Sequence, residues 1–438
     1  MTSRPADLAV IAAEGIAAAR RRLRTRAAVE RRQDRLARTQ IPWLIAHSAW
    51  TARRFSDAGL PPGRWRELPP VEKPDMMGNF DQLNTVGARL DDVLALAREA
   101  EATRDFTGQL TTRGGEITVG LSTGTSGTQG AFIVSRADRL RWAGSVLAAI
   151  FRPFPWALQT PQRVAFFLRA DGGLYRTAAS RRVSIDFYDI LRPVEELADR
   201  LTRTSPTVIV GPPSVLRAVA DAGGRARPSR VVSVAEVLEG QTEAFLAGWF
   251  GAPVIQIYQA TEGLLGLPCA AGQLHLAEEH VHIEAEPVGE GLVRPVITDL
   301  RRRAQPVVRH RLNDLLKLGD GCGCGSATRR IVRIVGRQDD ALLLPGANGE
   351  VTIWPDFLRA ALSRVPELRE YRLIQTGPAA LCVEVEPWLA GLRATVRDHV
   401  LAELDRHGVR GVSLTDRPWQ PLPPGVKLRR VFRNTNKE

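Results

Sequence analysis

Residues 120–130 read Gly-Leu-Ser-Thr-Gly-Thr-Ser-Gly-Thr-Gln-Gly and run directly into the β-branched stretch Ala131–Val134. Glycines let backbone N–H groups approach phosphate oxygens closely, and hydroxyl side chains add further donors. We therefore predict a phosphate-binding loop made of Ser122, Thr123, Gly124, Thr125, Ser126, Gly127 and Thr128. It is not a Walker loop, because no Gly-Lys-Ser/Thr follows. On composition alone, a flexible Ser/Thr/Gly linker is the alternative.

Around this loop the sequence pattern changes from helical spacing to an alternation of strand-like and helical stretches. Residues 1–105 carry Ala, Leu and Arg at helical spacing, which predicts a mostly helical lead-in. From about residue 117, short β-branched runs alternate with helical stretches, so we expect an α/β domain with helices over largely parallel strands. The pattern predicts a large N-terminal domain (1–337) with mixed sheets and helices, and a small α+β domain (338–438).

Composition narrows the class of protein. A chain of 438 residues exceeds the size of about 250–300 residues at which single cores stop growing, so two unequal domains are expected. With 44% apolar and 25% charged residues and no apolar run of bilayer length, a cytoplasmic protein without membrane partners is expected. The net charge of +12 is spread along the chain rather than clustered, so we do not expect a nucleic-acid partner.

Four further stretches carry polar residues in distinctive patterns. They are Tyr258-Gln-Ala-Thr-Glu262, Pro306-Val-Val-Arg-His-Arg-Leu-Asn-Asp314, Gly336-Arg-Gln-Asp-Asp340 and Pro423-Pro-Gly-Val-Lys-Leu-Arg-Arg-Val431. In this order, with the loop at 120–130, they resemble the motifs of the adenylate-forming superfamily, and in particular its branch of phenylacetate–CoA ligases and deazaflavin-adenylylating synthetases. The resemblance extends over nearly the whole chain.

The resemblance implies a role for each matching residue. Thr261 would contact the AMP phosphate, Glu262 would hold Mg²⁺ and Tyr258 would line the adenine site. Asp314 would bind the ribose hydroxyls, and Arg337 would reach the ribose or a phosphate. Magnesium commonly takes one or two carboxylates together with substrate phosphates, which suits this set.

The last two motifs imply a moving domain and its catalytic lysine. Asp339 would be the hinge about which the small domain turns, because such rotations need only a few residues that absorb backbone changes. Lys427 would bridge the substrate carboxylate and the α-phosphate. The chain departs from the family pattern at four positions. Gly130 replaces a proline, His310 a tyrosine and Asn313 a glycine, and Val426 lengthens the lysine segment.

The cysteines predict a metal site. Cys269 and His275 form one chelating arm and Cys322-Gly-Cys324 the other, and three thiols with one imidazole satisfy tetrahedral Zn²⁺ without leaving a position for water. The zinc would be structural. Free cysteines packed as small apolar residues are the alternative, and His280 and His282 are second choices for the imidazole. Cys382, in an apparent strand, is expected to be a core residue.

The resemblance implies ATP-dependent conversion of a small aryl or aliphatic acid to an acyl adenylate, followed by transfer to CoA. Two enzymatic alternatives keep the fold: adenylylation of a phenolic hydroxyl, and activation of nitrite for N–N bond formation. A third alternative is an inactive nucleotide-fold binding protein. Expected partners are the small acid, ATP, Mg²⁺ and CoA, and a homodimer is one option for the assembly. We expect the acid to be bound by the helix around Trp142–Phe154 and by segments near Gly211–Ser214 and Val234–Glu236.

Overall fold

The computed structural model describes residues 5–21, 23–121, 130–170, 173–347, 349–423 and 426–434. Its helices are α1 (Pro5–Arg20), α2 (Arg26–His47), α3 (Ala49–Asp57), α4 (Lys73–Gly78), α5 (Phe80–Leu83), α6 (Leu90–Thr103), α7 (Arg136–Ile150), α8 (Gly173–Arg176), α9 (Val194–Thr204), α10 (Pro213–Asp221), α11 (Gly240–Phe250), α12 (Pro355–Leu362) and α13 (Ala390–Arg406). None of these helices is both long and apolar enough to cross a lipid bilayer.

Six of the helices precede the first strand, where helical spacing dominates the sequence. Their ends follow from local capping. The Thr25 side chain accepts the Ala28 N–H at the start of α2, and Ser48 both ends α2 and accepts the Thr51 N–H at the start of α3. Helices α3–α5 place Trp50, Met76 and Leu83 in a hydrophobic cluster with the largest sheet.

A five-stranded parallel sheet forms the α/β centre. Its strands are β4 (Gln162–Leu168), β5 (Val183–Asp189), β6 (Val208–Gly211), β7 (Arg230–Ser233) and β8 (Val254–Gln256), in the order β5-β4-β6-β7-β8. Because side chains alternate along a strand, Val164 and Phe166 pack toward α7, whereas Ala165 and Phe167 pack toward α9–α11. Both faces are covered, as parallel sheets require.

The other strands before residue 338 pair antiparallel. One sheet contains β1 (Leu110–Thr112), β2 (Gly115–Leu121) and β3 (Ala131–Ser135). The other has eight strands, β9 (Tyr258–Ala260), β10 (Gly263–Pro268), β11 (Leu274–Leu276), β12 (Val281–Gly289), β13 (Leu292–Asp299), β14 (His310–Arg311), β15 (Asp314–Gly319) and β16 (Arg330–Arg337), with β14 paired to β13 beside the main path β12-β13-β15-β16-β11-β10-β9. The expectation of largely parallel strands therefore holds for the five-stranded sheet and not for these two sheets.

The C-terminal residues build a hydrophobic core of their own. It is formed by the hairpin β17 (Leu342–Gly346) and β18 (Gly349–Ile353), by helices α12 and α13, and by a four-stranded sheet of β19 (Glu370–Gly377), β20 (Ala380–Glu386), β21 (Ser413–Pro418) and β22 (Val431–Arg433) in the order β21-β20-β19-β22. Cys382 lies on β20, as expected, but its side chain is half-buried rather than in the core.

The fold class is confirmed as mixed α/β with several sheets. The boundary at residues 337/338 remains a prediction. A short helical turn at Gln338–Asp340 follows it and precedes the separate core.

Candidate functional site

A cavity of about 930 Å³ lies where the sheets and the C-terminal residues meet. All five motifs predicted from the sequence contribute residues to its wall. They are Gly120, then Tyr258, Thr261 and Glu262, then Asp314, then Arg337 and Asp339, and finally Lys427. These residues are up to 307 positions apart in the chain. The fold therefore brings together the separate stretches that the sequence singled out.

The phosphate loop predicted at Ser122–Thr128 lies outside the described residues. Its two ends are described. Strand β2 ends at Leu121 and β3 begins at Ala131, and these two residues are paired antiparallel partners. Gly120 and Leu121 line the cavity, so the described residues directly before the predicted loop belong to the cavity wall.

Tyr258 and Asp314 form the best-defined polar contact of the cavity. The Tyr258 hydroxyl donates to Asp314 Oδ2 at 2.6 Å, and Arg337 lies opposite Asp314 in the β15–β16 register, with Nε 4.0 Å from Oδ1. Burial raises the pKa of Asp314, and burial together with the Asp314 charge raises the pKa of Tyr258 well above 10. The hydrogen bond from Tyr258 therefore fixes the orientation of the Asp314 carboxylate, which is the hydrogen-bond acceptor of this pair.

Thr261 and Glu262 occupy the turn between β9 and β10. Tyr258 begins β9, a strand separate from β8, in the antiparallel sheet. Buried Arg302 donates to the Thr261 carbonyl at 3.0 Å and thereby fixes the turn. Both Thr261 and Glu262 line the cavity.

His310, the residue that departs from the family tyrosine, contacts Glu262. Its Nε2 lies 3.8 Å from the Glu262 carboxylate, and the ring is 2% exposed. Burial lowers the pKa of His310, which favours the neutral imidazole. Lys73 lines the same part of the cavity and interacts electrostatically with Glu262. Lys73 was not assigned a role from the sequence, because it lies 189 positions before Glu262.

Lys427 enters the cavity from the C-terminal segment. Burial lowers its pKa and nearby Arg337 lowers it further, while the carboxylates of Glu236 and Asp314 act in the opposite direction. The Lys427 side chain is thus close to two carboxylates and one guanidinium group. A lysine exposed to solvent, which the sequence could not exclude, would have none of these neighbours.

The three residues after Lys427 are anchored one by one. The Leu428 N–H donates to Glu236 Oε1 at 3.2 Å, Arg429 binds the buried carboxylate of Asp340, and Arg430 Nε lies 3.1 Å from Glu239 Oε2. These contacts fix the backbone on which Lys427 sits.

Glu236 was expected only as part of the acid-binding segment Val234–Glu236, and Glu239 was not assigned a role from the sequence. Ser214 donates to Glu236 through its hydroxyl at 2.6 Å, and burial raises the pKa of this carboxyl. Of the segment Gly211–Ser214, expected to line the acid pocket, no residue lines the cavity, and Ser214 instead supports Glu236. No local pattern could reveal these contacts, since Glu236 and Leu428 are 192 positions apart.

The hinge motif forms a tight turn. Asp339 is exposed and accepts from Asn313 Nδ2 at 2.5 Å, whereas the adjacent Asp340 is buried and binds Arg429. Asn313, which stands where the family has a glycine, therefore links the motif that ends at Asp314 to the hinge residue. The role of Asp339 as the pivot of a domain rotation stays a prediction.

The four residues predicted to bind zinc lie together. Their ligand atoms are all within 4.8 Å of one another, with Cys269 Sγ 3.7 Å from Cys322 Sγ and Cys324 Sγ 3.7 Å from His275 Nε2. His275 Nδ1 lies 2.8 Å from the Thr328 carbonyl, which holds the hydrogen on Nδ1 and leaves Nε2 facing the thiols. His282 instead contacts Gln33, and His280 lies near Glu279.

The opposite half of the cavity is hydrophobic. Helix α7 and strands β4–β6 supply much of its lining, among which are Val146, Ile150, Phe151, Phe166, Val183, Ile185 and Val210. Trp142, on α7, donates to Gln259 Oε1 at 2.8 Å. Helix α7 and residues 234–236 line the cavity, as expected for the acid-binding segments. Gln259 also lines it, and this residue was not identified from the sequence.

Comparisons with known proteins agree with this architecture. The chain is 31% identical over 190 residues to a phenylacetate–coenzyme A ligase from Thermus thermophilus, a match covering 36% of this chain and 42% of that protein. The match thus spans less than half the length of that curated relative. No protein-family model matches the chain.

Solved structures match over far more of the chain. A 2-hydroxyisobutyryl-CoA ligase in its postadenylation state, in complex with 2-HIB-AMP, covers 95% of this chain and 92% of its own with a TM-score of 0.69 and 18% identity. An open conformation of that ligase with 2-HIB-AMP and CoA covers 93% and 91%, with a TM-score of 0.57 and 19% identity. An acyl acid amido synthetase covers 85% and 82%, with a TM-score of 0.55 and 12% identity.

These structures share the fold over nearly the whole chain, and the curated relative shares sequence over part of it. The chain therefore has the fold of these CoA ligases and of the amido synthetase over most of its length.

Proposed function

We propose that the protein activates a carboxylic acid with ATP and transfers the acyl group to CoA. In the first half-reaction, a carboxylate oxygen attacks the α-phosphorus and the bond to the β-phosphate breaks, giving acyl-AMP and pyrophosphate. In the second, the CoA thiol attacks the acyl carbon, the thiol proton is lost, and AMP leaves with the oxygen that came from the acid. The curated relative and the structural neighbours are CoA ligases or other acid-activating synthetases by name, which supports this reaction type.

One observation carries the proposal. Lys427 lies in the same cavity as Asp314 and Arg337, near the turn that contains Thr261 and Glu262. A cation is needed where negative charge accumulates as a carboxylate approaches a phosphate, and a shielded lysine is more effective there than one in bulk water. Catalysis would rest on positioning and charge stabilisation, with no protein nucleophile.

The neighbouring groups suit the parts of ATP. Asp314 is a fixed acceptor that can take two adjacent ribose hydroxyls, and Arg337 beside it can bind ribose or phosphate oxygens. The predicted loop would hold the triphosphate. Glu262 would bind Mg²⁺ together with phosphate oxygens, since magnesium commonly takes only one or two protein carboxylates.

We also propose that Cys269, His275, Cys322 and Cys324 bind a structural zinc ion. Their donor set and separations fit tetrahedral Zn²⁺, whose Zn–S bonds are about 2.3 Å, and the orientation of His275 leaves Nε2 available. The zinc would join the β10–β11 turn to the β15–β16 loop. Strand β10 begins directly after Glu262, and strand β15 begins at Asp314.

The half-reactions would be separated by rotation of the small domain about Asp339. The chain superposes on the postadenylation state of the 2-hydroxyisobutyryl-CoA ligase with a TM-score of 0.69 and on its thioesterification state with 0.52. This difference supports the view that the present arrangement is the one that places Lys427 at the acid.

Pyrophosphate release tests the proposed function. The purified protein should release pyrophosphate from MgATP with at least one member of a panel of aryl and aliphatic acids, and mass spectrometry should find the matching acyl-CoA when CoA is added. Products without CoA distinguish an acyl adenylate from an adenylylated phenol. Absence of ATP-dependent product across a broad panel, phenols and nitrite included, would contradict the proposal.

A second prediction concerns the anchor of Arg430. Glu239 accepts a hydrogen bond from the Tyr371 hydroxyl at 3.1 Å and lies near both Arg430 and Arg359, so one large-domain carboxylate holds three C-terminal side chains. Glu239→Gln should slow the first half-reaction by about tenfold, equal to roughly 1.4 kcal/mol. ATP–pyrophosphate exchange measures that step, while synthetic acyl-AMP with CoA measures the second, which should change little.

Glu370→Gln is the matched control for Glu239. Glu370 pairs with the same arginine, at 2.8 Å, but belongs to the C-terminal core region itself. The Glu370→Gln substitution should therefore leave the ratio of the two half-reaction rates unchanged. Equal losses in both variants, or equal losses in both half-reactions, would mean that Glu239 does not hold the domain in position.

A further inference from the structure

A polar group stands in the hydrophobic half of the cavity. Gln259 follows Tyr258 on β9, and because side chains alternate along a strand, it lies on the face opposite to that of Tyr258. Tyr258 therefore faces Asp314, on the proposed nucleotide side, whereas Gln259 faces Trp142 of α7.

Trp142 fixes the orientation of the Gln259 amide. An indole N–H can only donate, so the atom 2.8 Å from it must be the amide oxygen. The NH₂ group then points the other way. It contacts the hydroxyl of Tyr175, and this contact lowers the pKa of that hydroxyl, as expected of an amide that donates to the phenolic oxygen.

Tyr175 is consequently left with a hydrogen to donate. Among the described residues, no acceptor for its O–H is found. Burial raises the pKa of Tyr175 to about 12, so the O–H stays on at neutral pH. The ring is held from two sides, by Trp142 with ring centroids 5.5 Å apart and by Phe166 at 4.6 Å.

The surroundings of Tyr175 are apolar. It packs against a hydrophobic cluster that contains Val146, Ile150, Val164, Phe166, Val183 and Val210. An O–H donor in such surroundings contributes most to binding when the ligand supplies its acceptor, and an unmatched ligand leaves the donor buried without a partner.

We propose that Tyr175, oriented through Gln259 and Trp142, donates a hydrogen bond to an uncharged oxygen on the body of the substrate acid. The acid class is then a carboxylic acid whose apolar, ring-sized body carries an ether, carbonyl or hydroxyl oxygen away from the carboxyl group. This inference rests on the proposed function, since it assigns the hydrophobic half of the cavity to the acid.

Matched pairs of acids test the inference. Phenylacetic acids with a methoxy group at the ortho, meta or para position are compared with the ethyl-substituted acids, which have the same shape but a methylene in place of oxygen. At one position or more, the wild-type protein should prefer the methoxy acid by about tenfold in kcat/KM. Tyr175→Phe should bring that ratio close to one while the ethyl acid is used as before.

Tyr188→Phe is the control substitution. Tyr188 is buried and its hydroxyl contacts Thr204 at 2.6 Å, but it lies in the core on the other face of the parallel sheet and does not line the cavity. This variant should keep the preference for the methoxy acids. Loss of the preference in both variants would point to a general structural effect and would overturn the assignment to Tyr175.

Binding of the same acids, measured by calorimetry in the presence of a nonhydrolysable ATP analogue, separates this inference from the proposed reaction. A methoxy preference in binding that Tyr175→Phe abolishes supports the inference even if no acid is turned over. Turnover without any preference between the pairs, a preference that survives Tyr175→Phe, or no binding by any methoxy acid would overturn it.

Discussion

Lys427→Met is expected to slow pyrophosphate release by about 10²–10³-fold, the loss typical of removing one group that stabilises transition-state charge. The reason is the position of Lys427 in the cavity, with Asp314 and Glu236 as its carboxylate neighbours and Leu428 tied to Glu236. Methionine keeps the length and the apolar stem of lysine but removes the charge. Acyl transfer from synthetic acyl-AMP to CoA should be nearly unchanged, because Lys427 would leave the site before that step.

Lys317→Met is the matched control, since Lys317 is exposed on β15 and outside the cavity wall. It should behave as the wild type in both half-reactions. The lowered pKa of Lys427 gives a further expectation, because its charge is lost as pH rises through that pKa. The first half-reaction should therefore begin to decline below the ordinary lysine value of 10.5. If Lys427→Met slowed both half-reactions equally, the lysine would have no specific role in adenylation.

Replacing Cys322 and Cys324 together by serine should remove the zinc ion and lower the melting temperature by at least about 5 °C, which corresponds to roughly 2 kcal/mol in a domain of this size. The two thiols form one of the two arms of the cluster. Without the metal, the β15–β16 loop loses its link to the β10–β11 turn. Elemental analysis should find one zinc per chain in the wild type and none in the double variant.

Cys382→Ser provides the control, since Cys382 is a half-buried cysteine on β20 outside the cluster. Its zinc content should equal that of the wild type. Protein that is purified without chelators yet contains no zinc, and whose stability is insensitive to added zinc, would favour the alternative of free cysteines. Activity is not needed for this test.

The sequence predicted the parts of the fold that depend on local pattern. Alternating β-branched and helical stretches predict the parallel sheet, because each βαβ unit is continuous in the chain. The antiparallel sheet was not predicted. Most of its pairings join consecutive strands, but the pairing of β11 with β16 joins strands that are far apart in the chain. His275 pairs with Arg330, and only the folded chain brings them together.

The site shows the same division. Thr261, Asp314 and Lys427 could be named in advance because each lies in a short motif, and the fold then places them around one cavity. Glu239 and Tyr175 lie in no motif. Their importance comes from contacts made across more than 80 residues of chain, with Arg430 and with Gln259, which no local pattern encodes.

Isotope transfer from the acid to AMP tests the central claim most directly. With a turned-over acid labelled with ¹⁸O in its carboxyl group, MgATP and CoA, attack of the carboxylate on the α-phosphorus leaves one labelled oxygen on AMP after thioester formation. We predict AMP that carries one ¹⁸O, together with unlabelled pyrophosphate. Unlabelled AMP, or ADP with labelled phosphate, would contradict activation of the acid as an adenylate.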